Sequence, residues 1–296
     1  MQRTIEQLIG QVPARIMLLF RDLDEDLEIT YDADRPVVAA STIKLLSLAR
    51  LYRAFAREQL DPRARVRIAS DQVAPGSGIL RWLAEPPPMT LRDLAVLMTI
   101  VSDNVAANAL IEVLGFAAME ELVVELGLTG TALRRPFWGR AAYPGEPENL
   151  VTAHDLATLL AALELGHIVP GGHWLDNLRM LLRAQQFRDI IPARLPEAVI
   201  VGNKTGTLPG PVHDAALLWA PFGRAVFVLL TSGVTNFEAT RRALADLAKE
   251  IVDHWQQARQ RGNSTRGGRW DVRSPAAPCR DTASSAARPG DRCPPR

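Results

Sequence analysis

The segment from Ser41 to about Glu58 constrains this chain more than any other. Its apolar residues Ile43, Leu46, Leu51 and Phe55 recur at helical spacing, and Leu45, Leu48 and Tyr52 widen the stripe. A helix that is apolar on most of its sides runs through an interior, with other elements packed around it. The chain of 296 residues is long enough to build that interior, as one large domain or as two lobes. Lys44 falls inside the same stripe, so a solvated lysine is not the expected reading of it. Ser41, three residues earlier, is a good N-cap by residue type.

The rest of the chain divides around this helix. Residues 3–10 read as a short helix. Residues 14–21 and 27–31 read as strands joined by the acidic turn Asp22-Leu23-Asp24-Glu25-Asp26. Helices are expected at Leu91–Ile100, Asn104–Leu114, Ala117–Leu126, from Thr152 to Leu165 and over 173–184. Thr90 with Asp93 and Thr152 with Asp155 supply the capping patterns. Residues 128–150 have no period and form a long loop. Val199-Ile200-Val201, Ala215–Trp219 and Ala225–Leu230 read as strands, and Thr235 or Asn236 caps a last helix to about Arg259. Strands near both termini are expected to share one sheet. The fold class is therefore α/β (α+β), with a helical lobe at about 60–195 inserted in a sheet lobe.

Charge narrows the function classes. The net charge is +1, which gives no case for nucleic acid or a membrane surface as partner. From Arg261 to Arg296 there are 8 Arg and 3 Asp, a net of +5, so residues 1–260 carry 34 − 8 = 26 basic against 33 − 3 = 30 acidic groups. That 261–296 segment, rich in Gly, Ser, Pro, Ala and Arg, is expected to be a disordered basic tail. It holds both cysteines, Cys279 and Cys293, so the body has no disulfide. The N-terminus lacks a signal-peptide pattern. The expected location is cytoplasmic, or periplasmic or secreted if the start is assigned too late. A monomer is expected.

Three polar elements carry the chemistry. They are Ser41-x-x-Lys44, Ser102-Asp103-Asn104 between two helices, and Lys204-Thr205-Gly206 on a strand. Acyl transfer needs a nucleophile, a nearby base, a proton relay and donors for the substrate's oxygens. Ser41 suits the nucleophile and Lys44 the base. Ser102 could pass a proton to a leaving nitrogen, and Asn104 could donate to a substrate amide oxygen. Lys204 and Thr205 could hold a carboxylate, while Gly206 lets a substrate approach the strand. The N–H groups of Ser41 and Thr207 would form an oxyanion hole. Asp103 reads as structural. His213-Asp214 suggests a Ser-His-Asp triad, but a lysine-based site leaves a triad no role, and a substrate-side or strand-end role is expected of the pair. His154, His167, His173 and His254 lack metal-ligand spacing and read as surface residues, and no metal or cofactor is expected.

With these motifs the sequence resembles the class A β-lactamase and penicillin-binding-protein superfamily of active-site serine enzymes. The spacings are 102 − 41 = 61 and 204 − 102 = 102 positions, and the likeness covers about residues 1–257. Gly76-Ser77-Gly78, Val105-Ala106-Ala107-Asn108 and Asn149-Leu150-Val151-Thr152 add to it. The resemblance implies a two-lobed fold, antiparallel sheet plus helical lobe, and β-lactam opening through an acyl-enzyme on Ser41. A D-alanyl peptidase or esterase acting on peptides or small esters, and a non-turnover sensor, are the alternatives. The departure is in the loop, where class A enzymes carry a glutamate that orients the hydrolytic water. That position falls near Pro136-Phe137-Trp138, and Leu133 to Tyr143 contains no Glu or Asp. Glu146 and Glu148 read as solvated loop residues or helix-start acids, and Glu146, in Glu146-Pro147-Glu148 about ten residues late, is the remaining candidate base. Trp138 could line the substrate mouth or pin the loop.

Overall fold

The computed structural model describes residues 2–68, 73–261 and 269–271. The chain opens with α1 (Gln2–Gln11), β1 (Arg15–Asp22), β2 (Glu28–Tyr31), β3 (Val37–Val38) and α2 (Lys44–Ala56). Short strands β4 (Arg65–Val66) and β5 (Met89–Thr90) precede α3 (Leu91–Ile100), α4 (Asn104–Leu114) and α5 (Phe116–Glu125). Then come β6 (Leu150–Val151), α6 (Ala153–Glu164) and α7 (His173–Arg183). The chain returns through β7 (Ile200–Thr207), β8 (Val212–Ala220), β9 (Gly223–Ser232), α8 (Phe237–Arg261) and β10 (Arg269–Asp271).

The main sheet has the order β10-β2-β1-β9-β8-β7, so strands from both ends of the chain do share it. Its pairings are antiparallel except β10 with β2. Alternation along β1 explains why the sheet can be covered on both faces. Ile16, Leu18 and Phe20 join the apolar cluster under α1 and α8, with Leu247, Ile251 and Trp255. Met17 and Leu19 point the other way, into the cluster built on Ile43, Leu46, Tyr52 and the helices after them. Successive residues are therefore buried on opposite sides, which is why the strand reads as one continuous apolar run.

Helix α2 is the interior helix that its sequence required. Ten of its residues are buried, from Lys44 to Phe55, and it touches α3, α4, α5, α6 and α7. Its start differs from expectation. The helix begins at Lys44, its N-cap is Ile43, and no side chain caps it. Ser41 lies in a tight turn ahead of it. Thr42 N–H donates to Ala39 O at 3.2 Å, Lys44 N–H to Ser41 O at 3.2 Å and Leu45 N–H to Thr42 O at 3.1 Å. These i→i+3 bonds wind the chain more tightly than an α-helix and stack residues three apart. Ser41 and Lys44 thus fall on one side by turn geometry, not by capping.

Strands β8 and β9 are longer than their apolar cores. His213 and Asp214 extend β8 because both are satisfied by hydrogen bonds, which apolar patterning cannot reveal. The last helix, capped by Asn236 Oδ1 on Ala239 N–H at 3.0 Å, runs to Arg261. The expected disordered tail otherwise lies outside the described residues, but Arg269–Asp271 pairs with β2 instead of being unstructured. His254 is buried, not on the surface. Among the described residues no helix is long and apolar enough to cross a membrane, and no group of three or more His, Cys, Asp or Glu is placed to hold a metal.

Trp255 fastens α8 to the sheet. Its ring meets Phe20 and Phe222 edge-on, and its indole N–H donates to Asp22 Oδ2 at 2.7 Å. Trp255→Ala opens a large cavity and removes one donor from the buried Asp22 carboxylate, which keeps Arg259 Nε at 3.2 Å. It is expected to lower the unfolding free energy by about 3–5 kcal/mol, read as a lower urea midpoint at unchanged slope.

Candidate active site

The three motifs meet at Ser102. Its backbone φ is 56°, a left-handed conformation that costs a non-glycine residue about 1–3 kcal/mol. The strain turns its carbonyl and its hydroxyl toward two lysines. Lys44 Nζ donates to Ser102 O at 2.7 Å and to Asn104 Oδ1 at 2.7 Å, and lies 3.2 Å from Ser102 Oγ. Lys204 Nζ donates to the same Oγ at 3.0 Å and to Thr205 O at 2.8 Å. Both amines are buried.

Asp103 supports this turn, as its sequence reading suggested. Oδ1 accepts from Ala106 N–H and caps α4, while Oδ2 accepts from the N–H groups of Ile79 and Leu80 at 2.6 and 2.9 Å. Gly78 at φ 120° must be glycine, since a β-carbon there would collide with the Asp103 carboxylate. Asn104 commits one N–H to Pro75 O at 2.7 Å, which leaves the second for a ligand.

Strand β7 lies at the outer edge of the sheet and passes close to Ser41. A β-carbon on Gly206 would stand 3.0 Å from both Ser41 N and Thr42 N. A side chain at 206 would therefore push the strand off the turn. Ser41 is half-buried and opens into two pockets. One is lined by Asn104, Phe137, Trp138, Glu148 and Thr207, the other by Ser102, Phe187, Thr205, Thr207 and Arg241.

Burial sets the protonation states. Desolvation holds Lys44 well below the ordinary 10.5, and the nearby Lys204 charge pushes it further down. Desolvation also lowers Lys204, to about 7, with partial compensation from the Asp214 carboxylate. A neutral Lys44 can donate to Ser102 O and Asn104 Oδ1 and still offer its lone pair to a hydroxyl proton.

His213-Asp214 is not part of this chemistry. His213 bonds Val38 O at 2.8 Å and accepts from Thr231 N–H at 3.1 Å, so Nδ1 is the acceptor and Nε2 carries the proton. Desolvation keeps it neutral, at about 4. Asp214 accepts from Asn203 Nδ2 at 2.9 Å and Ile191 N–H at 3.1 Å. Both tie strands and turns together.

The loop at 128–150 corrects one assignment. Glu146, the expected candidate base, is bound to Arg140 Nη1 at 2.6 Å and to Tyr143 N–H at 2.8 Å. The Arg140 bond holds its pKa at about 2, far too low for a proton acceptor near neutrality. Glu148 departs from the solvated reading. It accepts from Arg135 Nη2 at 2.9 Å and Ala142 N–H at 2.6 Å and braces the loop. Phe137 is the residue that faces the amine, with its ring centroid 4.7 Å from Lys44 Nζ. Asn108 places it, accepting from Phe137 N–H at 2.7 Å and donating to Phe137 O at 3.0 Å. The sequence offered Asn108 as a family echo, but not its grip on Phe137.

Residues 1–255 match the beta-lactamase enzyme family. The chain belongs to that family. Beta-lactamase CTX-M-8 of Citrobacter amalonaticus is 27% identical over 264 residues, 85% of this chain and 88% of that protein. Beta-lactamase regulatory protein BlaB of Streptomyces cacaoi is 32% identical over 206 residues, 69% of this chain and 58% of its own length. A solved beta-lactamase from Sphaerobacter thermophilus superposes with a TM-score of 0.80 at 28% identity, covering 86% of this chain and 96% of that one. The α/β fold with its antiparallel sheet is that of these relatives.

The lowered Lys204 pKa gives a stability prediction with a definite sign. Between about 7 and 10.5 the unfolded state holds a proton that the folded state has released, so stability rises with pH in that window. Asp214, raised to about 7 by burial, acts below it and with the opposite slope. Urea unfolding from pH 7 to 9 should show stability rising in the wild type and a smaller rise in Lys204→Met.

Proposed function

We propose that this protein is an active-site serine hydrolase that opens the cyclic amide of β-lactams through an acyl-enzyme on Ser41, and that it frees the acyl group slowly. The observation that carries this reading is Ser102 Oγ held between Lys44 and Lys204 Nζ, with Ser41 and Ser102 lining one pocket. Residues 1–260 act as one catalytic unit, with the helical block at about 60–195 as its second lobe.

In the proposed cycle neutral Lys44 takes the Ser41 hydroxyl proton as Oγ attacks the lactam carbonyl carbon. The N–H groups of Ser41 and Thr207 hold the developing oxyanion. The carbon–nitrogen bond breaks as Ser102 gives its proton to the departing nitrogen, and Lys44 returns a proton to Ser102. Lys204 and Thr205 bind the ligand's carboxylate, and the free N–H of Asn104 donates to its side-chain amide oxygen. No step calls for a metal or cofactor.

Release of Ser41 needs an activated water. Phe137 covers Lys44 where a carboxylate would be useful, and Glu146 and Glu148 are engaged by Arg140 and Arg135. Loss of a positioned general base typically costs about 10²–10⁴-fold, and here the loss falls on deacylation. The same feature supports a second reading, a sensor in which acylation is the endpoint, and the relative BlaB bears the name of a regulatory protein. A D-alanyl peptidase or esterase using the same residues is the third.

Intact mass spectrometry after mixing with penicillin tests the reading. The expected result is rapid addition of one penicillin mass and slow return to the free mass, with no adduct on Ser41→Ala. An adduct that forms equally well on Ser41→Ala would sink the site assignment. Phe137→Glu should speed the return by at least about tenfold, toward the 10²–10⁴ expected of a positioned base. Turnover of D-Ala-D-Ala peptides without lactam acylation would favour the peptidase instead.

A further inference from the structure

Several large apolar side chains stand exposed on the two segments that wall one side of the Ser41 cleft. On the first are Ile79, Trp82 and Leu83, with Trp82 74% exposed. On the second are Trp138 and Tyr143, at 37% and 61%. Such side chains normally fold inward or meet a partner when they gather in one place.

These are held out. The first segment is fastened to the Ser102 turn by the Ile79 and Leu80 N–H bonds to Asp103, and Asn104 N–H donates to Ser77 O at 3.0 Å. Leu80 is buried as the anchor, so its neighbours face away. The second segment is held by the Asn108 grip on Phe137, the residue before Trp138. The two segments touch through glycines, since a β-carbon on Gly76 would lie 2.9 Å from Gly139 Cα. Arg81 stacks on Trp82 at 4.5 Å and Arg140 on Tyr143 at 3.7 Å, which stiffens both rings. Trp138 from the second segment and Gly76 and Ser77 from the first line the same pocket as Ser41, so both segments reach the reacting centre.

The geometry points to a substrate with a long apolar acyl chain on the side of the scissile carbonyl away from its carboxylate, the chain lying along Trp138 and out toward Ile79 and Trp82. The deeper residues around Ser41 are polar, so the ligand is amphiphilic, with a polar reactive head and a hydrocarbon tail. This assignment rests on Ser41 as the acyl acceptor. It adds the substrate class, and Trp82 and Trp138 as the residues that select it.

A series of penicillins differing only in the 6-acylamino chain, from acetyl through butanoyl and hexanoyl to octanoyl, tests it. Each fully buried methylene is worth roughly fourfold in affinity, and a rim open on one side returns less. The acylation rate constant, read by mass spectrometry, should rise at least about tenfold from acetyl to octanoyl. Trp82→Ala and Trp138→Ala should each cut the octanoyl-to-acetyl ratio about threefold, and Trp82→Phe should restore most of it. A flat series, or a ratio unmoved in both alanine variants, would overturn the assignment. Equilibrium binding of the same compounds to Ser41→Ala, read by tryptophan fluorescence, keeps the two ideas apart. Chain-length-dependent binding without acylation of the wild type would defeat the acylation reading and leave the rim standing, whereas length-independent binding defeats the rim. Flotation with phosphatidylglycerol vesicles is a control. Vesicle capture lost in Trp82→Ala, with a flat acyl series, would assign the rim to a lipid surface and overturn the proposal.

Discussion

Two lysine amines share one serine hydroxyl inside this protein, and the rest of the structure serves to keep them there. Bringing Lys44 and Lys204 out of water is costly, and like charges beside each other add to the cost. The fold meets it by neutralising them through burial and by giving each its acceptors. Ser102 takes a strained backbone to present one carbonyl and one hydroxyl. Asp103 and Gly78 keep that strain from relaxing. Helix α2 carries Lys44 into a position that only an all-round buried helix can reach, and edge strand β7 brings Lys204 from the far end of the chain.

This arrangement explains why a sheet made from both termini matters to the chemistry. The turn before α2 and the strand carrying Gly206 are more than 160 residues apart in sequence (206 − 41 = 165), yet their backbones come within contact distance. An enzyme built on nearby residues could lose its geometry through local fraying. Here the site is assembled only when both ends of the chain have joined the sheet, so its integrity reports on the whole fold.

Much of this was legible in the sequence. Periodicity gave the interior helix, punctuation by Gly, Thr and Asp gave the helix boundaries, and three short motifs named the residues that meet. What was not legible depended on partners distant in sequence. Nothing local says that Ser41 sits in a tight turn instead of capping a helix, since both use the same residue type. Glu146 and Glu148 look available as bases until Arg140 and Arg135 are placed beside them. The pairing of Arg269–Asp271 with β2 lies in a segment whose composition argues for disorder, and three residues of strand are too short to show in a composition average.

Asn108 holds Phe137 entirely by its main chain, donating to the carbonyl and accepting from the amide. The grip makes no reference to the side chain. The fold therefore presents a socket beside the Lys44 amine whose backbone is held independently of the side chain it carries. Capture of an acyl group and its release are separable properties in such a scaffold, and selection can turn a trap into a catalyst, or the reverse, by exchanging one side chain at a site the architecture already supports.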